Sequence, residues 1–279
     1  MIDQYPQISV IMPVYNCEKT ILLAVKSVLN QTYKNFEFLI FDDCSTDNTA
    51  KIINLINDKR IKFFKSDKKK GISILLNEGI EKARGKYIAR MDGDDICLNH
   101  RLKRQYNFIE DNHSIDLVAS NIIYFKKNKI LKISNFKLFQ PNQVNFYMRS
   151  IHLAHPTWMA KKTFFKKYKY NLEANLVEDQ DLLFRAIAKS KFMIIDEPQL
   201  FYRIHQNKSF KIQFIKRINF FKAQFNFLKM NNKLNYFLII LICLIIKILG
   251  DFINFNFFKK NFFNNKLKYY EVMLNSMLL

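Results

Sequence analysis

The sequence has few of the residues that mark disulfide-rich or zinc-binding proteins, since its 279 residues include only four cysteines. Cys17, Cys44, Cys97 and Cys243 form no CxxC pair and no Cys/His cluster at zinc-ligand spacing, which argues against a structural zinc site and a disulfide framework. The N-terminus has no basic segment followed by an apolar run, so it does not look like a signal peptide. We therefore expect a chain that stays in a reducing cytoplasm.

Glycine is scarce as well, with five residues in the whole chain. Neither GxGxxG nor GxxxxGK[ST] occurs, so the sequence has no dinucleotide-binding fingerprint and no P-loop. Hydrophobic residues, by contrast, make up 49% of the chain. A chain of this length and composition can bury a large core, which argues against disorder for most of it.

Positive charge is plentiful and unevenly distributed, with a formal net charge of +21. Residues 1–100 carry 15 Lys and Arg against 13 Asp and Glu, residues 101–204 carry 18 against 9, and residues 205–279 carry 12 against 2. Nucleic acid, an anionic membrane and a phosphorylated substrate are the partners that such a surface can use.

Apolar runs and helical segments alternate from residue 8 to residue 91. The runs ISVIMPVY, FEFLIFD, IKFFK and KYIARM are rich in β-forming residues, and segments with helical spacing separate them. This rhythm predicts an α/β fold with a parallel sheet and helices on its faces. Ligands of such sheets bind at the carboxyl ends of the strands, where PVYN, DDCSTD and DGDD follow three of the runs.

The part of the chain from residue 98 to 205 continues without a linker rich in Gly, Ser or Pro, so we expect one domain over residues 1–205. This part holds a helical segment, an apolar run, the motif HPTWMAKKTF and the acidic helix start LVEDQDLLFRAIAKS. We expect it to form the lip of a pocket for a second substrate.

The last part, residues 206–279, changes character. SFKIQFIKRINFFKAQFNFLKM places apolar residues at helical spacing among basic ones, which predicts a basic amphipathic helix suited to a membrane surface. The apolar run over residues 237–246 ends at Lys247 and is shorter than the ~20 residues of a spanning helix. We expect attachment to a membrane surface, with a buried pair of helices as the alternative.

Three carboxylates crowd into RMDGDD, directly after the fourth apolar run: Asp92, Asp94 and Asp95. Like charges in one loop raise each other's pKa, and a divalent cation relieves that repulsion. Asp92 and Asp94 can offer oxygens to one hard cation that keeps open positions for phosphate oxygens. The alternative is a solvated acidic turn that caps the next helix.

Five motifs follow one another between residues 6 and 205: VIMPVYN, FDDCSTDNT, GISILLNEGI, ARGKYIARMDGDD and VEDQDLLFRAI. Together they resemble the family 2 glycosyltransferases. The resemblance implies a nucleotide-diphosphosugar (GT-A) fold over residues 1–205, Rossmann-like and mostly parallel, with a nucleotide-binding half at 1–97 and an acceptor-binding half at 98–205. Residues 206–279 then form a helical, basic and apolar extension.

The resemblance also implies roles for residues of the nucleotide-binding half. Pro13 and Tyr15 match a nucleotide-contacting loop, with the Tyr15 ring packed on the base, and Asp43 matches the carboxylate that accepts a hydrogen bond from the base. Asp92 is expected near the ribose and Asp94 on a divalent cation, Mn²⁺ or Mg²⁺. The structural alternatives are a packed aromatic at a strand end for Tyr15 and a helix cap for Asp43.

In the acceptor-binding half, Asp179 matches the proposed catalytic base, with Glu178 beside it. Both also suit a helix N-terminus, where acidic groups interact favourably with the helix dipole. Asp95 is expected to order its own loop.

Two histidines and the single tryptophan are further candidates. His205 follows a YR pair and is expected to contact the metal or a phosphate. His155 is expected to contact the acceptor or the diphosphate, although a lone histidine is more often structural. Trp158 either stacks on a sugar ring or fills the core. Cys44 stands where many members of the family have glycine.

The implied activity is inverting, metal-dependent transfer of a sugar from a nucleotide-diphosphosugar, with UDP favoured, to a glycan or lipid-linked acceptor. Lipopolysaccharide or capsule synthesis at the cytoplasmic face of the inner membrane fits this activity. The absence of QxxRW after VEDQDLLFR favours a non-processive enzyme over a polysaccharide synthase.

Three other functions are weighed against this one. A sugar-1-phosphate nucleotidyltransferase is disfavoured because MPVYNCEKT has no glycine to cradle a triphosphate. A nucleic-acid-binding protein is disfavoured because the basic charge lies among aliphatic and Phe-rich runs and no nucleic-acid-binding motif occurs. A catalytically silent nucleotide-sugar-binding protein stays open.

Overall fold

The computed structural model describes residues 5–138, 150–205, 209–257 and 268–278, and its centre is one nine-stranded sheet. The first part of the chain alternates strands and helices: β1 (Ile8–Val14), α1 (Ile21–Leu29), β2 (Phe36–Asp42), α2 (Thr49–Asn54), β3 (Ile61–Lys65), α3 (Ile72–Lys82) and β4 (Tyr87–Arg90). The second part adds β5 (Ile96–Cys97), α4 (Arg101–Asp111), β6 (Leu117–Lys126), β7 (Lys129–Ile133), β8 (Met159–Lys161), α5 (Lys162–Lys167), α6 (Glu178–Ala186) and β9 (Phe192–Arg203). Three helices follow: α7 (Phe210–Met230), α8 (Phe237–Phe257) and α9 (Lys268–Leu278).

The strand order places the candidate loops next to one another. The sheet runs β3-β2-β1-β4-β8-β6-β9-β5, with β7 paired to β6. β1 lies between β2 and β4 and is parallel to both, with Val14 opposite Asp42 and Ile11 opposite Arg90. The loops that follow β1, β2 and β4 therefore meet at one edge of the sheet.

Helices cover both faces of the sheet, and the alternation of side chains along β1 explains why. Val10 and Met12 point to the core beneath α1, α2 and α4, whereas Ile11 points to the core beneath α3, α5 and α6. All seven residues of β1 are buried, as the continuous apolar run requires. The predicted α/β fold, with a sheet flanked by helices and helices at the C-terminus, is confirmed.

The helix α7 begins and ends close to the predicted bounds, but the predicted apolar face is only partly correct. Its second half packs on α6, where Ala223, Phe227 and Leu228 are buried and the Phe227 ring lies 5.6 Å from that of Phe184. Its first half leaves Ile215 38% exposed. Helical spacing identified apolar positions, but tertiary packing decided which of them are buried.

The helix α8 differs from the sequence-based expectation in its apolar length. It continues past Lys247 to Phe257, and the segment Leu234–Phe252 is long and apolar enough to cross a membrane by length and composition. Only 6% of that segment is buried, so the alternative of a buried helix pair is wrong for α8.

Candidate functional site

Hydrogen bonds tie the loop after β1 to the loop after β2. The Asn16 side-chain carbonyl accepts from the backbone N–H of Thr46 at 2.9 Å, and the Asn16 N–H donates to Ser45 Oγ at 2.9 Å. The next N–H, of Cys17, donates to Thr49 Oγ1 at 2.7 Å. Asn16 adopts a φ of +50°, which asparagine tolerates better than most residues. The two loops that carry Tyr15 and Asp43 therefore form one unit.

The Asp43 carboxylate is buried and organises the loop after β3. Its Oδ1 accepts from the Lys70 N–H at 2.6 Å, and its Oδ2 accepts from the Gly71 N–H at 3.0 Å. Gly71 has a φ of +90°, a conformation that favours glycine. Because each carboxylate oxygen has two lone pairs, the group retains capacity for another donor. Contact with the base stays a prediction.

Tyr15 lies at the surface, whereas Pro13 is buried within β1 opposite Phe41. The Tyr15 side chain is 41% exposed, so it is not the packed aromatic of the structural alternative. The Lys69 ammonium lies 3.6 Å from the centre of its ring, a cation–π distance. One face of the ring is thus covered by a cation.

The loop that carries the acidic motif is held by its neighbours. Thr20 Oγ1 donates to the Gly93 carbonyl at 2.9 Å. Arg203, at the end of β9, donates its Nε–H to the Asp94 carbonyl at 2.7 Å and its backbone N–H to Asp95 Oδ1 at 2.8 Å. Arg203 had not been singled out in the sequence, although it belongs to the YR pair that precedes His205. Its contacts connect the ends of β4 and β9.

The acidic motif has the donor set of a divalent-cation site. Carboxylate oxygens of Asp92, Asp94 and Asp95 lie within 4.8 Å of one another. Burial and the neighbouring charges raise the pKa of Asp95 well above its ordinary value, and burial raises the pKa of Asp92 despite the nearby Arg90. Asp95 Oδ2 is buried and makes no hydrogen bond within the described chain. Burial and mutual repulsion of these carboxylates cost free energy, and a hard cation bound by their oxygens would offset that cost.

His205 lies directly at this site. Its Nε2 is 2.5 Å from Asp94 Oδ2. The next three residues, 206–208, lie outside the described chain. The residues that fit a cation are therefore Asp94 and Asp92, with His205 in contact with Asp94. Metal binding itself stays a prediction.

Arg90 lies beneath the acidic motif and was missed in the sequence. Only 4% of it is exposed, and Nη1 lies 2.5 Å from Asp92 Oδ2, although not at a hydrogen-bonding angle. The Arg90 carbonyl accepts from Arg101 Nη2 at 2.7 Å. An arginine inside an apolar strand, two residues before an acid, was the available signal. Its positive charge offsets part of the repulsion in the motif.

One cavity of about 840 Å³ joins the acidic motif to the start of α6. Asp92 and Asp94 line one side, and Glu178 and Asp179 line another. Burial, together with the charge of Asp179, raises the pKa of Glu178 to about 7. Asp179 Oδ2 accepts from Gln180 Nε2 at 3.2 Å. The structure thus brings the predicted base and the predicted metal ligands to the same space.

His155 and Trp158 pack together behind this cavity. His155 Nε2 lies 2.8 Å from the Tyr170 hydroxyl, and burial, with the nearby Arg90, lowers the pKa of His155 well below 6.5. Trp158 has no exposed surface and donates its Nε1–H to the Leu153 carbonyl at 3.3 Å. Stacking of Trp158 on a sugar ring is therefore wrong, because the ring fills the core. His155 still lines the cavity.

Four further residues that line the cavity are basic, and they had not been singled out in the sequence. They are Lys132 on β7, Lys216 and Arg217 on α7, and Lys247 on α8, and we call these four residues the basic wall. Arg217 forms a bidentate ion pair with Asp251, at 2.7 and 3.0 Å. Lys247, which interrupts the apolar run of α8, was the signal in the sequence.

Comparison with known proteins gives a family match over much of this chain. The model of the family described as Glycosyl transferase family 2 matches residues 9–169. The glycosyltransferase MJ1057 of Methanocaldococcus jannaschii is 37% identical over 206 residues, which are 71% of each protein. The Escherichia coli protein WfaP, a UDP-Glc:alpha-D-GlcNAc-diphosphoundecaprenol beta-1,3-glucosyltransferase, is 44% identical over 103 residues, which are 37% of this chain and 41% of WfaP.

Solved structures of TarS from Staphylococcus aureus have a similar fold. TarS 1–349 in complex with UDP superimposes with a TM-score of 0.59 at 24% identity, over 76% of this chain and 65% of that one. The complex with UDP-GlcNAc gives a TM-score of 0.60 at 23% identity, over 76% and 66% of the two chains.

Proposed function

The chain belongs to glycosyl transferase family 2 and is a glycosyltransferase, and from this premise we propose its substrates: a UDP-sugar and a lipid-linked acceptor of surface polysaccharide synthesis. One observation carries the proposal. Asp94, the expected metal ligand, and Asp179, the expected base, line the same cavity from two separate elements. This is the arrangement that a donor diphosphate and an acceptor hydroxyl require.

The order of the strands supports the placement of the donor. β2, β1 and β4 are neighbours, so Asp43, Tyr15 and Asp92 follow one another along the edge of the sheet. We propose that the base lies at Tyr15 and Asp43, the ribose near Asp92 and the diphosphate at Asp94. The TarS complexes contain UDP and UDP-GlcNAc, which supports a uracil nucleotide. Lys69 leaves the ring face of Tyr15 if the base stacks there.

Charge on the leaving diphosphate has to be neutralised in the transition state, because it develops as the bond to the sugar breaks. A divalent cation held by Asp94, with Asp92 and His205 beside it, supplies that positive charge when it is bound. The chain contributes the geometry, since Arg203 and Thr20 hold the loop that presents Asp94.

The acceptor hydroxyl has to lose its proton as it attacks, so the site needs a base. We propose that Asp179 takes the proton of the acceptor hydroxyl while its oxygen attacks the anomeric carbon. The bond from that carbon to the diphosphate oxygen breaks, and UDP leaves with the electron pair. Attack from the side opposite the leaving group inverts the configuration at the anomeric carbon. Glu178 lies beside Asp179, and burial raises the pKa of Glu178 to about 7.

The acceptor and location are proposed from the relatives and from α8. WfaP and WfgD of E. coli are named as glucosyltransferases for GlcNAc-diphosphoundecaprenol, which supports a lipid-diphosphate acceptor in lipopolysaccharide or capsule synthesis. The exposed apolar side of α8 supports attachment at the cytoplasmic face of the membrane. We also propose the division into residues 1–97, 98–205 and 206–279.

Calorimetry with UDP and GDP, each with and without Mn²⁺, tests the donor site. We expect Mn²⁺-dependent binding of UDP to the wild type and its loss, by 10-fold or more, in Asp94→Asn, because one ligand of the cation is removed. Asp179→Asn should bind UDP as the wild type does. With GlcNAc-diphosphoundecaprenol and UDP-glucose it should lose about 10²–10⁴-fold in turnover, the usual contribution of a general base.

Asp196→Asn is the matched control, since it removes an exposed carboxylate outside the cavity and should change neither measurement. Absence of UDP and GDP binding under every condition, in protein with native circular dichroism, would contradict the donor site. Unchanged UDP binding in Asp94→Asn would contradict the metal assignment alone.

A further inference from the structure

The basic wall places four positively charged side chains on one cavity. Residues 205–279, which contribute three of them, contain only two acidic residues against 12 basic ones. Asp251 pairs with Arg217, while Lys132 and Lys216 form no ion pair within the described chain. Like charges gathered on one surface repel one another, and an anionic ligand removes that cost. The carboxylates of the acidic motif, which line the same cavity, also repel one another, and a cation would remove that cost there.

Lys247 of α8 lines the cavity, whereas several apolar residues of the same helix are exposed on its opposite face. Lys247 and Asp251 are four residues apart and so share a face, on which Lys247 lies over the Phe220 ring of α7 at 5.3 Å. The opposite face is exposed: its members are Leu238 (63%), Ile242 (48%), Ile245 (51%) and Leu249 (57%). One helix thus presents Lys247 to the cavity and an apolar surface to its surroundings.

We propose that the basic wall binds the diphosphate of a polyprenyl-diphosphate acceptor whose lipid chain lies in the membrane along the exposed face of α8. The proposal rests on the proposed function and adds a binding site to it. The diphosphate of such an acceptor is esterified by the lipid at one end and by a sugar at the other, so it carries one negative charge on each phosphate, and Arg and Lys bind such groups by charge-assisted hydrogen bonds.

The position of the wall distinguishes this diphosphate from that of the donor. The donor diphosphate belongs at Asp94, whereas Lys216, Arg217 and Lys247 lie on helices that follow the sheet domain. An acceptor held by its diphosphate at the wall directs the attached sugar into the cavity, toward Asp179. A cavity of about 840 Å³ has room for the two sugars that react.

Calorimetry with farnesyl diphosphate in detergent, at saturating UDP and Mn²⁺, tests the wall while the donor site is filled. We expect farnesyl diphosphate to bind at least 10-fold more tightly than farnesyl monophosphate and than inorganic pyrophosphate. The double variant Lys216→Gln/Lys247→Gln should lose that preference. The control Lys222→Gln/Lys229→Gln removes the same charge from exposed positions of α7 outside the cavity and should keep it.

Three outcomes would overturn the inference. Equal weakening by both double variants would mean that farnesyl diphosphate responds to overall charge and not to the wall. Pyrophosphate binding as tightly as farnesyl diphosphate would indicate a site for free diphosphate. Normal UDP binding without farnesyl diphosphate binding would leave the proposed function intact and reject the wall, whereas failure of UDP binding in folded wild-type protein would reject the proposed function itself.

Discussion

The edge of the sheet that carries the acidic motif and the helices that carry the basic wall enclose the same cavity by different means. At the sheet edge, backbone groups and short side chains fix each loop: the Asn16 amide, the Asp43 carboxylate and the Arg203 side chain all bond to backbone atoms. On the helices, the wall is built from long cationic side chains on elements that pack through aromatic rings. The first side is held by hydrogen bonds to the backbone, whereas the second presents long side chains with several rotatable bonds.

This difference matches the two ligands that we propose. A nucleotide-sugar is a small molecule whose reacting carbon has to be positioned closely, and preorganised groups on rigid elements serve that need. A lipid-linked acceptor arrives from a membrane with a long, mobile chain. Flexible lysines and an exposed apolar helix can meet such a ligand without fixing every atom.

The largest effect should come from breaking the apolar face of α8. Ile242→Asn/Ile245→Asn should weaken binding to phosphatidylglycerol-containing vesicles by about 10- to 100-fold, because each exposed isoleucine contributes on the order of 1 kcal/mol when it enters the membrane interface. Co-sedimentation measures the binding. UDP affinity should not change, because neither residue lines the cavity.

The matched control is Leu22→Asn/Leu55→Asn, since these exposed apolar residues lie in the nucleotide-binding half. It should leave vesicle binding unchanged. Equal losses in both variants would show that α8 is not the membrane-binding surface. Deleting residues 206–279 is a poorer test, because α7 buries Phe227 and Leu228 against the core and its loss would expose them.

A smaller effect concerns the electrostatics at the start of α6, which lines the same cavity. Burial raises the pKa of Glu178 to about 7, above the ~4.3 of an unfolded chain, so the folded protein holds this proton more tightly than the unfolded one. Its contribution to stability is present below about pH 4 and is lost as the pH rises to about 7. Glu178→Gln should therefore raise the free energy of unfolding at pH 8 by about 1–3 kcal/mol and change it little at pH 4.

Urea unfolding at the two pH values measures this difference. Glu173→Gln, in the exposed loop that precedes α6, is the control, and it should change the free energy of unfolding by the same small amount at both pH values. If Glu178→Gln changed stability equally at pH 4 and pH 8, the effect would come from packing and not from ionisation.

The comparison also separates what the sequence could predict from what it could not. The strands β1 to β4 and the loops after them were predictable, because apolar runs and the polar residues that end them are local features. β7 and the long strand β9 were not predicted, and β9 pairs with β6 about 75 residues away in the chain, as in the match of Leu117 with Phe192. Such pairings depend on tertiary structure, which no local pattern encodes.

The two sides of the cavity also differed in how far the sequence could predict them. Asp94 was predicted from a short acidic motif with its own chemistry, whereas Asp179 was predicted only through the family resemblance, since VEDQDLLFRAI alone also suits a helix N-terminus. Arg203 and the basic wall could not be predicted, because their place depends on which face of β9, α7 or α8 meets the cavity. Trp158 had two interpretations in the sequence, and only its complete burial decided between them.

The smallest effect concerns the rigidity of the sheet edge, at Cys44. This residue has a φ of +64°, a left-handed conformation that costs a residue with a Cβ about 1 kcal/mol or more. Its thiol donates to the Asp67 carbonyl at a long 3.5 Å. Cys44→Gly removes that strain but adds freedom to the unfolded chain, so we expect a gain in stability of about 0–1 kcal/mol. Cys44→Ala keeps the strain, and it should be less stable than Cys44→Gly by about 1 kcal/mol in urea unfolding. If alanine were as stable as glycine, the turn would relax around a side chain, and the loop that holds Asp43 would be less rigid than its hydrogen bonds indicate.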